Sequence, residues 1–367
     1  MIRLVLARVG TAVLSVVGAS VLSFVLLRVT PGDPVGLVLG PFATAEARKA
    51  LTEKMGLEYP VWVQYADYIV GLLHGDWGYS YSSGVAVREI MLSRLPASLE
   101  IGIGALVFTV VASVAIALGK VLARRRFVGR TLDLVTFVGL SLPQFWLALL
   151  LLLVFSQWFA ILPGPEGRLA NDLTPPPTVI GLYTVDALLA GELPVVEDAL
   201  RHLVLPSVAL GLYSMAFLSR VLFANLDVAA RRPFVRASVL RGLPRPRAVR
   251  RHALPNAAVT TLTALGVLVG TLLTGGVLVE GVFAWPGIGA AVTDGIQKQD
   301  FSVVQAFILF SAVVYVATNL IVEALATLID PRVRDQGATG RGNSRRRPRL
   351  DPAPPDPTPV HPTPEAP

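Results

Sequence analysis

Six apolar runs separated by polar stretches dominate the chain, at roughly 9–28, 99–119, 132–158, 203–224, 257–280 and 304–328. A helix crosses the ~30 Å hydrocarbon layer in about 20 residues, so each run is long enough to span, and the third has room for tilt. Helix is the expected state, because backbone groups in lipid must bond within their own segment. The first run follows MIRLVLARVG and has no small-residue cleavage site in a polar context after it. It reads as a retained span rather than a removed leader. The pattern predicts an all-α integral membrane protein with six transmembrane helices.

The polar stretches divide by charge. Loop 120–131 carries Lys120, Arg124, Arg125, Arg126 and Arg130, and loop 225–256 carries eight arginines between Arg231 and Arg251. The tail adds Arg332, Arg334, Arg341, Arg345, Arg346, Arg347 and Arg349. Loop 159–202 has only Arg168 and Arg201 against six carboxylates, and loop 281–303 only Lys298. The excess of basic residues marks the cytoplasmic side, so both termini are expected there.

The longer connections have structure of their own. Thr44 can cap a short helix that Gly56 ends, and Pro60 starts a second, PVWVQYADYIVGLL. The stretch 159–202, with LPGPEGR and TPPPT, reads as irregular. The expected organisation is a first transmembrane helix at 1–29, an extracytoplasmic helical cap at 30–98 and a five-helix core at 99–334. The Arg/Pro-rich tail, 335–367, buries too little apolar surface to fold and has a weak preference for anionic membrane lipid.

Composition agrees with the pattern. Charged residues are 16% of the chain and mean hydropathy is +0.62, against about 25% charge in soluble domains. With no cysteine, disulfides, thiolate catalysis and cysteine metal sites are excluded. His74, His202, His252 and His361 are scattered and form no metal-ligand set. The net charge of +7 is concentrated in loops beside spans, which assigns it to topology rather than to nucleic acid. Arg28, Glu100, Asp133, Arg220, Glu280 and Glu323 all fall near the ends of runs. Ion-coupled transporters keep ionisable groups near the midplane, so driving energy is expected to come from elsewhere. A shift of several residues in the boundaries would move Glu100, Glu280 or Glu323 inward.

The segment FVRASVLRGLPRPRAVRRHALPNAAV, 234–259, lies between two apolar runs. Leu226 to Arg241 can form helix, with Pro233 setting a start or kink. Gly242 is a left-handed terminator, and Pro246 can open a second helix leading into the fifth run. Ala237, Ser238, Val239, Leu240 and Leu243 put small and apolar groups at this turn, flanked by Arg236 and Arg245. Such a surface suits a groove in a soluble partner. The blander reading is a basic loop that only obeys the positive-inside rule.

Spacing favours the first reading. Binding-protein-dependent ABC permeases carry E-A-A, three residues, G, nine residues, then I-x-L-P. Ala237, Gly242, Leu254 and Pro255 fit that register, while Arg236, Ser238 and His252 replace Glu, Ala and Ile. The departures fit the peptide-permease branch, through Arg236-Ala237, Gly242-Leu243 and the run Arg251, His252, Ala253, Leu254 and Asn256. TPGDP at 30–34, GDWGYSY at 75–81, SLPQFWLALLLLLVFS at 141–156, GGVLVEGVFAWPGIGAAVTDGIQKQDFSVVQA at 275–306 and ATLIDPRVR at 326–334 resemble the same branch. Over about 1–334, the chain is similar to the B-type permease subunit of dipeptide and oligopeptide ABC importers.

The resemblance implies a type I importer architecture in which residues 237–248 form a coupling helix seated on an ATPase. It implies a homologous C-type permease as the other half of the pore, two ATP-binding ABC subunits and an extracytoplasmic substrate-binding protein. The chain has no G-x-x-x-x-G-K-[ST] phosphate loop, so ATP and Mg belong to the partner ATPase and no cofactor is expected here. Peptides are the default substrate. Nickel chelates, glutathione or sugars are the alternatives within the family.

The segment 281–303 contains Trp285-Pro286-Gly287 and is too short to span. It predicts a helix from Pro286 to Gln297, with Ile288, Val292 and Ile296 on one side and with Gly287 and Gly289 allowing close packing. A gate at the pore mouth and a simple capping loop are equal readings. Glu280, Asp300 and Asp33 are candidates to meet peptide ammonium groups. Gly266, Gly270, Gly275 and Gly276 suit close helix packing, and Ser141, Gln144 and Asn319 are candidate polar lining. The rival classes are an ion-coupled secondary transporter and a membrane enzyme. The second would need convergent acid, base or metal groups that the sequence does not show.

Overall fold

A computed structural model describes residues 2–29, 34–39, 43–54, 56–80, 82–274 and 276–329. Expectations for Asp33, Gly275 and the tail from 335 lie outside the described residues. Chain contacts separate a unit Met1–Ala326 from Thr327–Pro367, of which only the last turn of a helix to Ile329 is described.

Helix α1 runs Ile2–Val29, followed by α2 (Pro34–Leu39), α3 (Ala45–Lys54) and α4 (Val61–Leu73). The Thr44 hydroxyl accepts from Ala47 N at 3.2 Å, and Gly56 adopts φ +64° just beyond α3. Thr44 and Gly56 thus act as the cap and stop read from sequence. A hairpin of β1 (Tyr79–Ser80) and β2 (Val85–Ala86) leads directly into α5, Val87–Leu122. The helix therefore begins at Val87, not near 99, and Glu100 lies well inside it.

The third apolar run is not one straight helix. Helix α6 (Arg126–Ser141) ends at Leu142, which is extended at ψ 137°, and α7 (Gln144–Leu151) continues as a π-helical turn to Trp158. The two parts bend by 118°. Pro143 causes the break, because its ring disfavours helix at Leu142 and it has no N–H to donate. The stretch expected to be irregular also holds α8 (Tyr183–Ala190) and the start of α9 (Leu193–Ala230). After α9 come α10 (Pro233–Leu240), α11 (Arg245–Ala248), a π-helical turn to Ala253 and α12 (Leu254–Thr274). Helices α13 (Val277–Val282) and α14 (Ile288–Gln297) precede the final α15 (Phe301–Ile329).

Among the described residues, four helical stretches are long and apolar enough to cross a membrane, or five if α6 and α7 count as one. The largest helix interface joins α5 and α9. It is built from small residues. A Cβ on Gly211 would lie 2.8 Å from Ala105 O, and Gly104 leaves room for Ser207. Thr109 and Ser113 donate to Gly211 O (3.1 Å) and Met215 O (3.0 Å), so the two helices run in the same direction. Such bonds contribute about 0.6 kcal/mol each between membrane helices, so close packing dominates this contact. Gly266 and Gly270 of α12 likewise face Val322 and Tyr315 of α15.

Candidate functional site

At the arginine-rich end, α9, α10 and α11 make two reversals. Pro233 opens α10, as a residue with no N–H to leave unpaired should. The exit is a Schellman motif: Leu243 N donates to Ser238 O (3.1 Å) and Gly242 N to Val239 O (2.9 Å), with Gly242 at φ +92°. Pro244 then starts α11, with Pro246 in its first turn. Val235, Ala248 and Val249 are buried against Ala117, Val121, Leu222 and Leu226. That apolar plug fixes the turn to the inner faces of α5 and α9.

The structure brings the predicted turn residues together. Arg236, Ala237, Gly242 and Arg245 are exposed, and Leu240 is 88% exposed. Ser238 is half-buried and bonds back to Phe234 O at 2.9 Å. Leu243 departs from the expected exposed set, being half-buried against the plug. Phe234, also exposed on α10, joins the surface instead.

The opposite end is built from buried carboxylates. Glu280 of α13 is 3% exposed and accepts from Ser98 Oγ (2.7 Å) and Ala290 N (3.1 Å). Burial pushes its carboxyl above the usual range, opposed by the Ser98 hydroxyl and the backbone N–H groups; α13 lies outside the spanning helices. A Cβ on Gly287 would come within 2.5 Å of Ser98 Oγ, and one on Gly289 within 2.5 Å of Val277 Cα. Those glycines permit the approach. Trp285 is buried and donates its indole N–H to Ala97 O at 2.8 Å, beside Pro286 at the start of the next turn. Ile288 and Val292 are buried, but Ile296 is 60% exposed, and Gly295 is the buried residue of that turn.

Asp300 fastens the hairpin. Its Oδ2 accepts from Ser80 Oγ (2.6 Å), Ser82 Oγ (2.8 Å) and Ser82 N (3.2 Å). Asp300 is 5% exposed and its Oδ1 is buried without a hydrogen-bond partner, so neither it nor Glu280 is open to solvent in this conformation. Of the candidate lining groups, Ser141 bonds to Phe137 O and Gln144 to Leu210 O.

The largest feature missed by sequence reasoning is a buried ion pair. Arg168 donates to Glu100 Oε2 through Nη2 (2.6 Å) and Nε (3.0 Å), to Gly181 O (2.7 Å), and stacks 3.5 Å from the Tyr183 ring. Thr184 donates through N and Oγ1 to Glu100 Oε1, each at 2.8 Å. The available signal was one of only two arginines in an acid-rich, Pro/Gly-rich loop, and an acid early in an apolar helix. Among the described residues, no group of three or more His, Asp or Glu is placed to hold a metal ion.

Residues 110–335 match the family described as binding-protein-dependent transport system inner membrane component, and residues 1–102 match its N-terminal part. The probable D,D-dipeptide transport system permease protein DdpB of Escherichia coli strain K12 is 36% identical over 321 residues, 88% of this chain and 94% of that protein. The dipeptide transport system permease protein DppB of the same strain is 32% identical over 340 residues, 91% and 99% of the two chains. The di/tripeptide transport system permease protein DppB of Pseudomonas aeruginosa strain UCBPP-PA14 is 34% identical over 343 residues, 92% and 100%. With both matches together covering nearly all of 1–335, this chain belongs to the family of binding-protein-dependent transport system inner membrane components.

Proposed function

We propose that this chain is the permease subunit of an ATP-driven importer for di- or oligopeptides and forms half of the translocation pore. The relatives named above as dipeptide or di/tripeptide permeases support the substrate class. The observation that carries the mechanism is the rigid turn at Gly242, which presents Phe234, Ala237 and Leu240 in an arginine-rich surround. This turn, 237–248, is the coupling element. It docks in a groove of an ATP-binding subunit, so that closure of two such subunits on ATP and Mg moves α10, α11 and the spans attached to them. A homologous C-type permease completes the pore, and an extracytoplasmic binding protein delivers peptide.

The topology in this reading is six spans with both termini cytoplasmic, in a type I importer arrangement. Counting α1, with its apolar stretch Gly10–Val25, and α6–α7 as one span each supports six. The basic loops support the orientation. Bond chemistry belongs to the ATPases; this chain carries substrate. Segment 281–303 works as a gate-like element at the outer mouth, with Glu280, Trp285, Pro286, Gly287 and Asp300 holding its shape.

The test is a mild-detergent pull-down of the tagged chain from native membranes, followed by dipeptide uptake in vesicles rebuilt from what is recovered. A second permease, ATPases with phosphate loops and a binding protein are expected, with uptake that requires ATP. Recovery of the chain alone, with uptake that follows an ion gradient, would replace this reading with a secondary transporter.

A further inference from the structure

Helix α4 has no buried residue, although it is apolar over most of its length. Its sides divide into three. Tyr65 and Tyr68 face α1: their rings lie 5.3 and 5.9 Å from that of Phe24, and Tyr65 Oη is 3.1 Å from Ser20 Oγ. Gln64 and Asp67 form a polar side, with Gln64 Nε2 bonded to Tyr59 O at 2.7 Å. The third side, Trp62, Ala66, Val70 and Leu73, is open; Trp62 is 73% and Leu73 81% exposed. These positions follow i, i+4, i+8 and i+11, a continuous apolar stripe.

The depth of α4 decides what covers that stripe. Arg8 and Arg28 stand 20 residues apart on α1, which is about 30 Å of helix, the thickness of the hydrocarbon layer. Arg28 therefore marks one boundary. Phe24 and Ser20 lie roughly 6 and 12 Å inside it at 1.5 Å per residue. So α4 touches a membrane helix below its end, not above it. Helix α1 has an open apolar side of its own, with Leu14, Val21, Leu22 and Val25 exposed. At 13 residues α4 covers about 20 Å and cannot span. Asp67 is its only charged residue, so electrostatic docking to a charged protein has little to act on.

We infer that α4 is a membrane-embedded helix lying along the boundary of one leaflet, the outer one in the proposed orientation. Its Trp62–Leu73 stripe sits in lipid acyl chains, and Asp67 faces water. Trp62 and Tyr59 then fall where amphipathic rings anchor to headgroups. The inference is independent of what the importer carries.

The chain has no cysteine, so single-cysteine variants can be labelled cleanly. Nitroxide labels go on Val70→Cys and Leu73→Cys of the full-length chain, with Leu14→Cys as lipid reference and Lys49→Cys on the polar α3 as water reference. In vesicles of phosphatidylethanolamine and phosphatidylglycerol, collisions with oxygen and with a water-soluble nickel chelate are compared. The oxygen-to-nickel ratio at 70 and 73 should match that at 14 and exceed that at 49 several-fold, before and after assembly with the partner subunits. A ratio like that at 49 would place the stripe in water and overturn the inference. Loss of both collisions on assembly would overturn it too, because a protein partner would then cover the stripe.

Discussion

The two ends of the bundle are held by opposite means. At the arginine-rich end, a turn is set by backbone chemistry: Pro233, Gly242 and Pro244 in sequence, one Schellman motif and a shallow apolar plug. Phe234, Ala237 and Leu240 stay exposed there. At the other end, side chains are consumed. Glu100, Glu280 and Asp300 each tie together segments far apart in sequence, and each is buried among donors. Even the backbone is spent there, since α14 is entered through Ala284 and left through Gln299, both non-glycine residues at φ +51° and +54°. A turn made of glycine and proline can be exposed and still rigid. A fold fastened by carboxylates must bury them.

Mutations can break this contrast, and the largest effects belong to the buried fasteners. Replacing Arg168 with Ala leaves Glu100 charged, buried and unpaired, a loss of about 3–5 kcal/mol. Thermal unfolding in detergent should show it directly, and the Arg168→Met, Glu100→Leu double variant should be less damaged than either single change to Ala. Next comes Gly287→Ala, whose methyl has no room beside Ser98. Overpacking of that kind costs about 1–3 kcal/mol, and it should loosen 281–303 to protease before the rest of the chain. Asp300→Ala strips an acceptor from Ser80 and Ser82. An unmade bond to the buried Ser80 hydroxyl costs about 1–3 kcal/mol, while exposed Ser82 can turn to water, and hydrogen exchange of the hairpin amides should rise.

The exposed turn should behave differently. Gly242→Asp forces a side chain into a left-handed position at about 1–2 kcal/mol. Nothing lies within 4 Å of the added Cβ, so the cost stays local. Leu240→Ser should change the melting temperature least, since exposed substitutions stay within about 0.5 kcal/mol. It should nonetheless weaken ATPase co-purification.

The exposed turn was legible because its causes are local. Arg236 to Asn256 carries proline and glycine at positions whose geometry follows from short-range rules. The caps at Thr44 and Gly56 were legible for the same reason. Hydropathy found the apolar cores of α5 and α9 but not their ends. A window tuned to lipid thickness sees about 20 residues, whereas these helices run 36 and 38 residues and continue as protein-packed helix. The bend at Pro143 was written in Leu142-Pro143, yet apolar continuity concealed it. Arg168 and Glu100 are 68 positions apart, and no local rule pairs them. Glu100 therefore read as a boundary charge when it is a buried anchor.

In the proposed mechanism the turn at Gly242 transmits ATPase motion to the spans. The most direct measurement is substrate-stimulated ATPase activity of the reconstituted importer carrying Gly242→Asp, with its melting temperature taken on the same preparation. The variant complex should assemble and melt near normally, with no stimulation by loaded binding protein. Full stimulation in the variant would contradict this mechanism, because the turn would then be a basic loop with no part in coupling.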